Sequence, residues 1–404
     1  MKKTDVCIIG AGASGLCAAI NVHRNYPDCS ITLLEKLPRV GKKILSTGNG
    51  RCNLTNVNVV PSSYNNPDFV TPVLEKYSPA VVVEFFESLG LKTFTDREGR
   101  VYPRSNAASS VLDALRFACQ NDKTEVLCEY ITESVKAQDD GFVINNDLFC
   151  SVLIISCGGK ASPSQGSDGS GYVIAKSLGH SVTPVLPSLV PLNVLPEKVR
   201  ALKGVRASNV KLTLFDEEGS DTSVGEILFS DRSVSGIAAM ELAAFAESSL
   251  RGGNDPILSI DFLPEFEKEE LNEYLRSISI IRANQPVDNM LSGILPKSLG
   301  ISILKECSLY YGGALIDGFN DEMIASLTNM IKDYKINVYG TRGFQSAQVT
   351  KGGVDLSLVK SASLESKLKK GLYFCGEILD VDAKCGGFNL QWAFASGLAS
   401  GELK

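Results

Sequence analysis

The stretch Cys7-Ile-Ile-Gly-Ala-Gly-Ala-Ser-Gly15 decides how the chain is read. Val6 to Ile9 is a short apolar run of the kind that forms a buried strand. It enters a Gly-x-Gly-x-x-Gly turn at Gly10, Gly12 and Gly15, which Ala13 and Ser14 complete. An apolar helix follows, carrying Leu16, Ala18, Ala19 and Ile20. In such a unit the first glycine permits the turn, and the second lets the backbone approach a pyrophosphate. The third lets the helix lie close on the strand. Free amides and the helix dipole then favour a phosphate at the helix start.

A second apolar run, Ser30-Ile-Thr-Leu-Leu34, ends in Glu35, with Lys36 behind it. An acid at the tip of the second strand is where an adenosine ribose is held. Strand, turn, helix, strand and acid together meet the dinucleotide fingerprint, which three glycines alone do not.

A chain of 404 residues holds two or three domains. Lys+Arg 40 against Asp+Glu 46 gives a net charge of -6 without a long basic run, which argues against nucleic acid or an anionic membrane as partner. Met1-Lys2-Lys3 and the apolar run behind it imitate a signal peptide. Asp5 interrupts that pattern, and the same residues complete the fingerprint. No run reaches the ~18 apolar residues of a membrane span. The 11 cysteines are scattered without a Cys-x-x-Cys pair, a pattern of free thiols in a reducing cytoplasm. With 2 histidines, His23 and His180, no metal site is expected.

Beyond Glu35, Gly41-Lys-Lys-Ile-Leu-Ser-Thr-Gly-Asn-Gly-Arg-Cys-Asn53 combines backbone-permissive glycines with Lys42, Lys43 and Arg51. It reads as a loop wrapped around an anion, through Gly48, Asn49, Gly50, Arg51, Cys52 and Asn53. The plainer alternative is a solvated basic loop.

On these residues the chain resembles the BaiN/aminoacetone-oxidase-like flavoproteins, a branch of the FAD-dependent oxidoreductases. That family's markers are the Gly-Ala-Gly-Ala-Ser-Gly turn, the acid on the second strand and a Gly-x-Gly-Arg-Cys-Asn-x-Thr-Asn loop, here Gly10 to Gly15, Glu35 and Gly48 to Asn56. Further markers follow. Val349-Thr-Lys-Gly-Gly-Val354 matches a re-entry segment, and Gly376-Glu377 through Asp380 to Gly386-Gly387-Phe388-Asn389-Leu390 matches the C-terminal signature, apart from Ala383 and Phe388. The resemblance implies bound FAD, with a helix starting near Asn389 facing the pyrimidine end of the isoalloxazine. It also implies a strand end at Cys157, Gly158 and Gly159 returning to the cofactor, and an adenine contact near Ile131.

The resemblance further implies an α/β Rossmann-like FAD-binding domain built from both chain ends, with an inserted β-barrel-like domain and a helical subdomain. Three prolines in Thr183 to Pro191 mark the exit from the nucleotide domain. The division reads as 1–186 and 343–404 for the FAD-binding domain, 187–258 and 313–342 for the β-rich domain, and 259–312 for a helical cap. Within the first part, helices are expected over Val81–Leu89 and Val173–Leu178. A strand meander is expected at Glu125–Cys128, Ile131–Lys136 and Gly141–Asn145. Ser235–Ala244 reads as a helix of the inserted domain. Gly166-Ser-Asp-Gly-Ser-Gly171 spaces its glycines unlike a nicotinamide fingerprint and reads as a flavin-side loop.

Redox chemistry in a flavoenzyme belongs to the cofactor, so the chain needs to supply orientation and one proton donor. Cys52 is a candidate redox thiol if Arg51 lowers its pKa, and equally a packed thiol. Cys385, Tyr172 and Lys351 are further candidates. Three activities are expected alternatives. One is an NAD(P)H-fed reductase of an enone-type small molecule, in which the nicotinamide visits transiently. The others are an oxidase of a small amine such as aminoacetone and a non-catalytic flavin-binding redox module.

Overall fold

Val6 to Ile9 are buried because β1 (Lys2–Ile9) runs through the middle of a sheet. α1 (Ala13–Asn25) leads back to β2 (Ile31–Leu34), which pairs parallel with β1 in the register Cys7↔Thr32. The computed structural model describes residues 1–403. It divides into two units, the first made of Met1–Leu186 with the chain from Gln348 onward, the second of Pro187–Ala347.

In the first unit α2 (Pro79–Ser88) forms where a helix was expected, with proline in its first turn and Ser78 Oγ accepting from Val81 N. After α3 (Ala108–Ala118), β3 (Thr124–Leu127) does not join a meander. It pairs parallel with β2, Leu33↔Val126, and so covers what would be an exposed apolar edge. Antiparallel pairing joins β4 (Val135–Ala137) to β5 (Phe142–Ile144) and β5 to the strand after it, Phe142↔Cys150, which leaves Ile131 in the connection before them. β6 (Leu148–Ile155) lies parallel to β1 on its other side, giving the order β3-β2-β1-β6-β5-β4. α4 (Ser170–Ser177) starts three residues earlier than expected, because Asp168 Oδ1 accepts from Ser170 N at 3.0 Å.

The second unit is built on a closed six-stranded barrel. Its strands are β7 (Leu192–Val194), β8 (Arg206–Phe215), β9 (Ser220–Phe229), β10 (Ser233–Ser235), β11 (Ile257–Asp261) and β12 (Tyr334–Thr341), joined in the order β7-β10-β9-β8-β11-β12. Alternation selects the interior: Val210, Leu212 and Leu214 of β8, Leu258 and Ile260 of β11, and Tyr334, Ile336 and Val338 of β12 are buried. The helix expected over Ser235–Ala244 breaks at Leu242 into α5 (Ile237–Glu241) and α6 (Ala243–Gly252). α7 (Lys268–Ile281) and α8 (Lys297–Glu306) occupy the stretch read as helical. The stretch 313–342, assigned to the return of the β-rich domain, contains a further helix, α9 (Asp321–Lys332). Asn320 caps it, and Thr328 Oγ1 donates to Asn272 of α7 at 2.6 Å. Its apolar stripe of Ile324, Leu327 and Ile331 is buried, which a solvated strand connection would not achieve.

Back in the first unit, β13 (Leu372–Phe374) pairs parallel with the end of β6, Leu372↔Leu153, beyond the point where β5 stops. α10 (Phe388–Ser400) packs along α1. A Cβ on Gly397 would lie 2.3 Å from Ser14 O, and one on Gly401 2.8 Å from Ala18 O. Contacts that advance together along both sequences make the two helices parallel.

Candidate cofactor site and family

The glycines of the first turn differ in what holds them. Gly10 has φ +101°, and a Cβ there would meet Ser156 O at 2.6 Å. A Cβ on Gly15 would lie 2.0 Å from Gly10 O, which is the close helix-to-strand packing the motif demands. Ser156 Oγ secures the turn by donating to Gly10 O at 2.7 Å. Gly12 has φ −84°, and a Cβ there would meet nothing within 4 Å. Packing within the chain therefore gives no reason for glycine at position 12. The open volume lies at the amide start of α1, where a phosphate fits. Glu35 is fixed nearby, its Oε2 accepting from Ala11 N at 3.1 Å and its Oε1 from Leu37 N at 2.9 Å. Tyr130 N donates to Glu35 O at 2.9 Å, which sets Ile131 beside the same strand tip.

At the start of α10, Gly386 and Gly387 have φ +125° and +101°. A Cβ on Gly387 would lie 2.6 Å from Thr55 O and 2.9 Å from Asn53 Oδ1, so the Gly48–Asn56 loop lies against the glycine pair. That loop turns through left-handed backbone at Gly48, Asn49, Gly50 and Cys52. Asn53 Oδ1, Thr55 Oγ1, Asp382 Oδ1 and Gln391 Oε1 are all buried and have no hydrogen-bond partner within the chain. Buried acceptors call for donors. The ring N–H of a flavin's pyrimidine edge would be such a donor for Asn53 Oδ1, which lies against Gly387.

The two helix starts are joined in the middle. A Cβ on Gly376 (φ +78°) would lie 2.4 Å from Ser14 Oγ, and Trp392 Nε1 of α10 donates to Gly376 O at 3.2 Å. Glu377 beside it is held by Lys43 Nζ at 2.8 Å and by Thr350 N at 2.8 Å. Thr350 Oγ1 also accepts from Lys160 N and Ala161 N, and a Cβ on Gly159 would strike it at 2.4 Å. Gly158 (φ +69°) faces Ser167 and Glu377. Tyr172 is buried, with its hydroxyl near Gly159 and without a partner. Burial, with Glu377 and Asp380 nearby, pushes its pKa above the usual tyrosine range.

Several sequence expectations need correction. The cationic side chains do not converge on a common anion. Lys36 pairs with Asp168 at 2.6 Å, Lys42 donates to Ser164 O, Lys43 is taken by Glu377, and Arg51 stacks on Tyr102 at 4.5 Å. Each of the four has a partner within the fold, an acid only for Lys36 and Lys43. Cys52 is not a low-pKa thiol: it is fully buried, and burial pushes it up to about 12. Cys157 is pushed up to about 12 by the same cause. Cys385 is half-buried beside the glycine pair, and Lys351 is exposed. Asp380 is an internal clamp, its Oδ1 accepting from Asn65 at 3.0 Å and its Oδ2 from Thr183 at 2.9 Å. Asn389 brackets the preceding loop through Ala383 N and O. Phe388 is buried, and Leu390 is half-buried behind it. Thr55, Thr350 and Asp382 went unread. The run Glu377, Asp380, Asp382, with three acids in six residues, was the signal available for the last of them.

Ser14 stands one residue inside α1, and its contact Gly397 stands nine residues inside α10. The later helix therefore starts about 12 Å further out at ~1.5 Å per residue. A ligand with a pyrophosphate at its centre and a polar ring at one end spans that offset. That is the build of FAD, and the protein is an FAD-dependent oxidoreductase. It belongs to the family described as "HI0933-like protein Rossmann domain", which matches residues 4–403. It is 37% identical over 399 residues to the 3-dehydro-bile acid delta(4,6)-reductase of Clostridium scindens, spanning 98% of this chain and 97% of that one. It is 29% identical over 409 residues to the ribosomal RNA dihydrouridine synthase of Escherichia coli, spanning 99% and 97%. In fold it is similar to a 3-ketosteroid delta1-dehydrogenase from Sterolibacterium denitrificans, with a TM-score of 0.52, 14% identity and 99% of both chains covered.

Proposed function

We propose that this chain reduces a carbon–carbon double bond conjugated to a carbonyl, with electrons supplied by NAD(P)H. The observation that carries this reading is the step common to two near-full-length relatives of different name. A 3-oxo-4,6-diene and the uracil ring both present a C=C bond next to a C=O, and both names describe its saturation. Bound FAD supplies the hydride for such a step. The residues proposed to hold it are Gly10, Gly12, Ser14, Gly15 and Glu35 at the adenosine diphosphate end. Gly376 and Glu377 serve the middle, with Asn53, Thr55, Gly386 and Gly387 at the ring.

For the substrate we favour an uncharged small molecule of the enone class. The second unit, Pro187–Ala347, carries 15 Lys+Arg against 22 Asp+Glu, a balance of -7. RNA binding draws its affinity from cations placed against phosphates, and this unit has an excess of the opposite sign. A uridine within RNA is the second reading, supported by the likeness to the dihydrouridine synthase.

The test is anaerobic. The yellow chain is mixed with NADH or NADPH, then with a 3-oxo-4,6-diene steroid or a uridine-containing ribosomal RNA transcript. The expected outcome is bleaching by a nicotinamide and recovery of colour with the steroid, whose mass rises by two hydrogens. Recovery with the transcript alone selects the second reading. Bleaching by aminoacetone and not by nicotinamide overturns both.

A further inference from the structure

Three carboxylates stand on the segment between β13 and α10, and they are treated differently. Glu377 has Lys43 and the Thr350 amide, and Asp380 has Asn65 and Thr183. Asp382 is 9% exposed, and its Oδ1 has no partner. Its backbone is nonetheless locked on both sides by one residue: Asp382 N donates to Asn65 Oδ1 at 3.0 Å, and Asp382 O accepts from Asn65 N at 3.1 Å. A buried carboxyl group on a locked backbone, with one oxygen left unsatisfied a few residues before the glycine pair, is costly unless a ligand uses it. Asn53 Oδ1 and Thr55 Oγ1, the other unsatisfied atoms named above, belong to the loop that packs on that pair.

We propose that the carboxyl group of Asp382 gives the substrate its proton at the carbon next to the carbonyl; this rests on the reductase reading above. In the step, the C=C π bond breaks. The far carbon gains a C–H bond with the hydride's electron pair, drawn from reduced flavin. The near carbon gains a C–H bond with the proton from Asp382 Oδ. Asp382 is left as a carboxylate and recovers a proton from water.

The charged and titratable groups that bear on Asp382 are Glu377 and Asp380 on its own segment and Lys351 on the neighbouring strand segment. Burial, opposed by the Lys351 charge and reinforced by the two carboxylates, lifts its pKa from the ordinary aspartate value to about 6. Glu377's own charge is already paired with Lys43. An acid that titrates near neutrality is matched to proton transfer there. Tyr172, a second buried candidate, has its hydroxyl near Gly159, and burial holds it protonated well above the ordinary tyrosine range.

The test uses the flavin-loaded chain and two readouts. With the flavin oxidised and no substrate present, infrared titration of wild type against Asp382→Asn reads the carboxyl directly. A protonated carboxyl that persists above pH 5 and is missing from the variant is expected; a carboxyl ionised throughout that range overturns the proposal. In stopped flow, D382N is expected to be bleached by nicotinamide at the wild-type rate and reoxidised by the conjugated substrate ~10²-fold or more slowly. Reoxidation at the wild-type rate overturns it. If D382N loses its flavin, Lys351→Met replaces it. Removing that positive charge raises the acid's pKa, so the alkaline limb of kcat/KM moves to higher pH, and an unmoved limb overturns the proposal. Should no conjugated substrate reoxidise wild type, the reductase reading fails while the infrared titration still decides the state of Asp382.

Discussion

Gly12 and Gly15 stand three residues apart and fail in opposite ways when enlarged. A methyl group on Gly15 would sit 2.0 Å from Gly10 O, so Gly15→Ala is expected to destabilise the flavin-free chain by about 1–3 kcal/mol. Gly12→Ala meets only open space and is expected to leave the flavin-free melting midpoint within about 0.5 kcal/mol of wild type while abolishing flavin retention. Calorimetry together with the absorbance ratio of flavin to protein separates the two. A second expectation at this scale concerns His180, buried with its Nε2 2.8 Å from Ser366 Oγ. Burial lowers its pKa below the ordinary histidine value, so the folded state takes up its proton less readily than the unfolded chain. Stability is therefore kept above the unfolded pKa of ~6.5 and lost as pH falls from there through the lowered folded value. His180→Gln is expected to flatten the fall in melting temperature between about pH 7 and pH 5. The glycines were legible because their roles follow from spacing along one turn. Cys52 was left open between a redox thiol and a packed one because the burial that sets its pKa comes from residues far away in sequence.

The parallel pair α1 and α10 is the element that turns two local motifs into one site. Gly397 and Gly401 let the backbones approach, and Asn21 Nδ2 donates to Leu398 O at 2.6 Å across the seam. Gly397→Val is expected to push the helices apart, costing about 1–3 kcal/mol and weakening FAD retention although the residue lies about two and a half turns from the helix start. Equilibrium denaturation and flavin release report the two effects. Each helix was readable from its own glycines and apolar positions. Their mutual offset was not, because it depends on which turn of one meets which turn of the other. Nor was α9: its stripe of Ile324, Leu327 and Ile331 carries a helical period, but it lies in the stretch assigned to the returning β-rich domain and was absorbed by that assignment. The parallel role of β3 was missed for a related reason, since Thr124–Leu127 alone cannot say which edge it will cover.

For the whole molecule, FAD binds only the folded first unit and should stabilise it by mass action. About 2.7 kcal/mol is expected at a free concentration ~100 times the dissociation constant. A flavin-free preparation titrated with FAD should show the melting midpoint rise with concentration, and Gly12→Ala should show no rise. The broad architecture was legible because signatures at both chain ends point to one nucleotide fold. The substrate was not, because the barrel's alternating strands specify a packed interior and leave its loops undetermined.

Order of synthesis gives the interrupted first unit a consequence of its own. The barrel unit is one continuous length of chain, so it has all its strands as soon as Thr341 has left the ribosome. The nucleotide sheet at that moment still lacks the strand at Leu372–Phe374 and the helix that seals it. Cofactor loading is thus expected only once the helix Phe388–Ser400 has been made, and a ribosome stalled shortly before position 388 should carry a finished insert inside a host that does not yet turn yellow.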